Sequence, residues 1–248
     1  MPSSLIPAVS TASSELVKQS PLFSSLPNTL LTEMAQHFQI QTWEKGAYIN
    51  PSLLIERFCF LQAGQLEMKR SNPETGREIT VDMLYPGDSF DIISLLDGQV
   101  HHVNLSPVTP LRVISVPITL MRKWLWTYPE LNQQFLPYLA QKMREQEDQT
   151  VDIALHDVST RLSRIILKHI NKIQTYTGIK EEAQKNHLIN HLSDETLARM
   201  SGSVRQVINK QLQHWKSEGV LDKKKHEIMI HDLTAIYEEA NNIQERFK

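Results

Sequence analysis

From Thr42 to Pro117 the apolar residues come in short runs, broken by turn signals at Gly46, Asn50-Pro51, Ala63-Gly64, Asn72-Pro73, Gly76, Pro86-Gly87, Asp97-Gly98, Pro107 and Pro110. Many short strands at such close spacing predict a β-sandwich or barrel. Ahead of them, Pro21-Leu22-Phe23 and then Leu30, Leu31, Met34 and Ala35 supply one apolar face, so a short helix is predicted and the fold is expected to begin near Pro21. The residues before it are rich in Ser, Ala and Pro and read as a loose tail. Beyond the strands the period lengthens. Leu136, Leu139, Met143, Gln146, Thr150 and Ile153 recur by threes and fours, predicting one long helix from about Glu130 to Leu155 with a stripe of heptad type. Such a stripe serves either as a seam with a second copy or as a face packed on the chain's own barrel.

The pattern from Leu192 to Asp232 is more particular. Ser193 is placed as an N-cap, with Asp194 and Glu195 where the helix dipole favours negative charge. Leu197 and Met200 give that helix its apolar face, and Gly202 permits a sharp turn. Ser203 and Gln206 have capping-box spacing and predict the start of a second helix. In it Val204, Val207, Ile208, Leu212 and Trp215 are expected inside, leaving Arg205, Gln206, Asn209, Lys210 and Gln213 outside. Arg and Lys can donate to guanine O6 and N7, and Gln and Asn can pair with adenine, so this outward row has base-reading chemistry. Plain solvent exposure is the other reading of the same face. Gly219 then closes the helix, Val220-Leu221 and Glu227–Ile230 read as two strands, and Lys223, Lys224, Lys225 and His226 fall at the tip between them. A lysine tip suits a phosphate backbone. Leu233 to Ala240 reads as a short amphipathic helix without assigned chemistry.

Charge and composition adjust this picture. The 248 residues leave room for two domains, and the net charge of −2 does not by itself point to nucleic acid. Between Ser203 and His226, however, Arg205, Lys210, Lys216, Lys223, Lys224 and Lys225 face only Glu218 and Asp222, so the field that matters is local. The single cysteine, Cys59, lies in the apolar run Phe58-Cys59-Phe60-Leu61 and is expected to be buried packing. No apolar run approaches the roughly 20 residues of a membrane span, and the N-terminus has no basic region followed by an apolar core, so a cytoplasmic location is expected. Gly-rich phosphate loops, nucleophile elbows and zinc spacings are absent, which argues against an enzyme. His187 and His191 are spaced H-x-x-x-H, yet they fall in a linker outside a clear helix, no third ligand is evident and no metal is expected.

Asp157-Val158-x-x-Arg161-Leu162, then Leu197-Ala198-x-Met200-x-Gly202-Ser203-Val204-Arg205-Gln206-Val207-Ile208, and Gly219-Val220-Leu221 resemble the C-terminal domain of the cyclic-AMP receptor protein and FNR family of bacterial transcription regulators. Upstream, Trp43-Glu44-Lys45-Gly46, Phe60-Leu61-Gln62-Ala63-Gly64-Gln65-Leu66, Gly76-Arg77-Glu78-Ile79-Thr80 and Leu84-Tyr85-Pro86-Gly87-Asp88-Ser89-Phe90 resemble that family's effector barrel, in the same order. The resemblance implies an α+β fold. Residues 1–20 form a tail, 21–129 a jelly-roll (double-stranded β-helix) domain resembling a cyclic-nucleotide-binding domain, and 130–156 a dimerisation helix. Residues 157–232 form a winged helix-turn-helix and 233–248 a helical tail, with Asp157 as the hinge.

It implies a homodimeric regulator that reads a near-palindromic operator, with RNA polymerase as a further candidate partner. Arg205, Gln206 and Lys210 match the family's principal base-contacting positions. Ser203, Gln213, Lys223, Lys224 and Lys225 are candidates for phosphate contacts. The family usually has Ser where Val204 stands, Glu at Gln206 and Arg at Lys210, so a different DNA site is expected. The effector cassette departs further. Asp91 and Ile92 stand in the turn, with Ile92 where relatives carry the ribose-binding Glu, and His101 and His102 replace the Arg and Ser that hold a cyclic phosphate. On the long helix Gln146 and Glu147 replace hydroxyls that hold adenine. Cyclic AMP in the usual mode is therefore not expected, no other cofactor is assigned, and His101 and His102 keep both a plain polar role and a pH- or anion-sensing one. One cysteine also excludes the iron-sulfur sensing of FNR-type members. The competing reading is a barrel that binds a small molecule or a partner, its helix-turn-helix being structural only.

Overall fold

The computed structural model describes residues 17–18, 20–177, 187–224 and 227–241. The chain divides into two compact units, residues 1–74 with 81–145, and residues 75–80 with 146–248.

The first unit begins with α1 (Asn28–Ala35) and β1 (Gln39–Trp43). The short α2 (Leu53–Glu56) leads into β2 (Arg57–Ala63), β3 (Leu66–Ser71) and β4 (Glu78–Leu84). After α3 (Ile92–Asp97) come β5 (Asn104–Pro107), β6 (Leu111–Pro117), α4 (Ile118–Thr127) and the long α5 (Pro129–Leu155). Two antiparallel three-stranded sheets, ordered β1-β6-β2 and β4-β3-β5, give the expected jelly-roll. The run Phe58-Cys59-Phe60-Leu61 is buried throughout because β2 has protein on both faces, so its alternation sorts side chains between two cores. Phe58 and Phe60 join Ile114 and Val116 of β6 against α1, α4 and the start of α5. Cys59 and Leu61 join Val113, Leu66, Met68, Leu84 and Leu105 inside the sandwich. Phe38 anchors the helical side, with its ring edge-on to Phe60 at 5.6 Å and to Trp124 at 5.8 Å. Burial pushes the Cys59 thiol up to about 12, which keeps it a packing group. Gly64, at φ +94°, is required where the chain passes close to Pro110; a Cβ there would also meet the Leu111 side chain at 2.7 Å.

The fold starts earlier than Pro21. Val17 is fully buried, and Ser20 Oγ donates to the Gly87 carbonyl at 3.0 Å. Polar composition concealed one well-packed apolar residue and one small buried hydroxyl; residues 1–16 and 19 lie outside the described residues.

The second unit contains the end of α5, α6 (Val158–Thr177), β7 (His187–Asn190), α7 (Asp194–Ser201), α8 (Arg205–Ser217), β8 (Leu221–Lys224), β9 (Glu227–Ile230) and α9 (Leu233–Asn241). Asp157 caps α6 by accepting from the Thr160 N–H at 2.9 Å. Leu162, Ile166 and Ile170 of α6 are buried, as are Leu197, Ile208, Leu212, Trp215, Ile228 and Ile236. α9 is tied to α6 by Ser159 with Glu239, and by Arg164, whose Nε donates to the Ala240 carbonyl at 3.0 Å. β7 is a correction to the expectation of a linker at His187–His191. It pairs antiparallel with β9, giving a sheet ordered β7-β9-β8. His191 follows the strand at φ +72°, and no group of three metal-binding side chains occurs among the described residues.

Candidate nucleic-acid interface

α7 starts where local chemistry places it. Ser193, in extended conformation, accepts from the Thr196 N–H at 3.0 Å, and Asp194 and Glu195 follow in the first turn. Leu197 and Ala198 are buried; Met200 is only half-buried. The helix ends at Gly202, φ +64°, and the Ser203 N–H reaches back to the Ala198 carbonyl at 2.9 Å. This is a left-handed glycine closure.

That closure changes how α8 begins. The N-cap is Val204, not Ser203, and no side chain caps the helix, so the Ser203–Gln206 box is not formed. Ser203 is occupied in ending α7, and the chain is extended at Val204 before turning into the helix. The buried arc is Ile208, Leu212 and Trp215, whereas Val204 and Val207 are 52% and 42% exposed. Both valines therefore leave the expected inner face. Val204 precedes the helix, and Val207 lies about 100° around the axis from Ile208.

Arg205, Gln206, Asn209, Lys210 and Gln213 are all exposed on α8. Ser203 is half-buried beside them. Among the described residues, Arg205 and Lys210 carry no ion pair. The wing follows through Val220, whose N–H donates to the Trp215 carbonyl at 2.9 Å, into the β8–β9 pair with Lys224 opposite Glu227. Lys224 is exposed; Lys225 and His226 lie outside the described residues. Sequence placed Lys223 at the tip, but it sits within β8 and pairs with Asp194. At the base of the wing Asp222 accepts from His231 at 3.2 Å and meets Lys216 at 3.3 Å, and these hydrogen bonds hold its pKa below the usual carboxylate range. Ser193, Asp194, Arg205, Asn209, Gln213 and Lys223 line a groove of about 510 Å³.

In the first unit, Asp91 and His101 of the cassette are brought together, while Ile92 and His102 stand apart from that pair. Asp91, at φ 44°, caps α3 by accepting from the Ser94 N–H and from Ser94 Oγ. The same carboxylate holds His101 Nδ1 at 2.8 Å, while His102 is exposed. Ile92 is buried in the apolar cluster beside Phe60 and Ile114. The C-terminal end of α3 is held by Arg122, which donates to the Leu95 and Ser94 carbonyls, each at 2.7 Å. Nearby on α5, Lys142 meets Asp88 at 3.1 Å and Asp82 at 3.2 Å. Burial opposes its charge, but Asp82 and Asp88 outweigh burial and hold the ammonium above the ordinary lysine range. Tyr138 accepts the Ser89 N–H at 2.8 Å, and burial pushes its phenol up to about 12. Sequence reading missed Lys142 and Arg122 because their partners are remote in the chain.

On α5 the stripe divides. Leu139 packs against the first unit's core, whereas Leu136, Met143, Gln146, Thr150 and Ile153 are exposed, with Leu136 at 60% and Met143 at 65%. Glu147 is exposed as well.

Comparison with known proteins agrees with these observations. A Crp-like helix-turn-helix domain model matches residues 160–238. The chain is 24% identical to a CRP-like cAMP-activated global transcriptional regulator of Mycobacterium tuberculosis, over 71% of this chain and 76% of that one. It is 33% identical to a global nitrogen regulator of Synechococcus elongatus over 52% of this chain and 59% of the relative. Its fold matches a CRP/FNR-family transcriptional regulator from Thermus thermophilus, with a TM-score of 0.63 and 19% identity, over 82% of this chain and 98% of the other.

Proposed function

From this chain's place in the CRP/FNR family of transcription regulators, we propose that it acts as a homodimer reading a near-palindromic DNA site, without using cyclic AMP in the usual mode. The observation that carries the DNA reading is the exposed row Arg205, Gln206, Asn209, Lys210 and Gln213 on one helix, with the lysine-bearing wing following it. Arg205 and Lys210 supply donors for guanine, and Gln206 and Asn209 supply amides for adenine. Ser203, Gln213 and Lys224 are the candidates for phosphate contacts. The exposed apolar positions of α5 support pairing with a second copy. In such a dimer two α8 helices lie about 34 Å apart, one turn of duplex. Selection from randomised duplexes should therefore enrich two inverted half-sites separated by about one helical turn. Recovery of a lone half-site, or no enrichment, would count against it.

The effector reading rests on the cassette's chemistry. Buried Ile92 offers no acceptor to a ribose hydroxyl. His101 is already held by Asp91, so a cyclic phosphate would meet a carboxylate instead of a permanent cation. Lys142 is committed to Asp82 and Asp88. Titration calorimetry with cyclic AMP should show no saturable heat, and a tight isotherm would overturn this part. No replacement effector is assigned.

A further inference from the structure

Asp194 stands inside the proposed DNA face, where a carboxylate repels phosphate, and it is not idle there. One oxygen takes the wing's Lys223 ammonium and the other accepts from the Asn209 amide at 3.2 Å. The Lys223 and Asp194 side chains are only 11% and 12% exposed, so the pair is shielded from screening ions. Three elements meet in this clasp: the start of α7, the reading helix α8 and strand β8. The clasp opens onto the same groove as Arg205 and Gln213.

Resting on the DNA reading above, we propose that Asp194 is a positioning residue of the interface, an internal counter-ion that removes Lys223 from the phosphate contacts and fixes the Asn209 amide. Lysines at a wing normally add to affinity by displacing counter-ions from the duplex. Lys223 adds nothing while Asp194 neutralises it, so the phosphate-facing charge of the described part of the wing falls to Lys224. The clasp thus lowers sequence-independent binding and leaves discrimination to the base-facing row on α8.

The test is the salt dependence of binding to a mixed-sequence duplex of about 30 base pairs, read by fluorescence anisotropy on the full-length protein. D194N keeps the side chain's shape and an acceptor for Asn209 while removing the charge. It should bind more tightly than the parent, with a plot of log affinity against log salt steeper by about 0.9, the increment for one added phosphate contact. Its advantage should accordingly shrink roughly 3.5-fold between 50 and 200 mM salt. In D194N/K223M the slope should return to the parental value, and K223M alone should leave the slope unchanged. Binding with an unchanged slope in D194N, or a steepening that persists without Lys223, would overturn the clasp while leaving the DNA reading intact. A parent protein that binds no duplex at the lowest salt would overturn both.

Discussion

Replacing Arg205 and Lys210 with alanine should weaken binding to the selected operator by about 1 to 3 kcal/mol for each residue, a loss of roughly 5- to 160-fold per position. Both side chains are exposed on α8 and have no ion-pair partner among the described residues, so their removal takes nothing from the buried arc of Ile208, Leu212 and Trp215. Thermal unfolding and oligomeric state should therefore match the parent. The two losses share one helix face and need not add. Discrimination should fail in a particular way. If Arg205 reads a guanine edge, its loss relaxes preference at that base pair, whereas loss of a phosphate contact would weaken all sequences alike. Unchanged affinity in an anisotropy titration would favour a structural role for the helix pair.

Breaking the proposed α5 seam should have a larger effect. Leu136→Glu with Met143→Glu places charge at two apolar positions that are largely exposed in a single subunit, so the barrel core beneath them is spared. Leu139, which packs inward, is left alone. In a dimer both new carboxylates would face their own copies across the seam, uniting like charge with desolvation. Sedimentation equilibrium should show a folded monomer. Operator affinity should fall by about 10² to 10⁴, because the second half-site is no longer bound within one assembly. A double variant that still sediments as a dimer would place the contact elsewhere.

Sequence made parts of this molecule readable for identifiable reasons. Ser193 and Gly202 act on backbone groups a few residues away, so the limits of α7 could be read locally. Asp157 at the start of α6 is of the same kind. The turns of the barrel carried their own glycines and prolines. Val204 and Val207 were misplaced because a helical period gives an apolar arc without saying which edge of it the partner covers. β7 was missed because its reason for being a strand is β9, far along the chain. α4 was passed over although Ile118, Met121, Trp124 and Leu125 have helical spacing, since it follows the last strand at Pro117 with no turn signal between them. The clasp of Asp194 with Lys223, the Lys142 cluster and the Asp91–His101 pair all join polar groups that only tertiary structure brings together.

The placing of β9 between β7 and β8 has a mechanical outcome. A two-stranded wing could slip its register or swing about its root, but here the central strand is laced on both sides, and Val220 ties the hairpin's near end to Trp215. Helix and wing consequently behave as the fixed jaws of a caliper. On the proposed DNA reading, a duplex whose groove is too narrow or too wide would have to deform to fit these jaws, and sequences that bend cheaply would gain an advantage at base pairs the protein never touches.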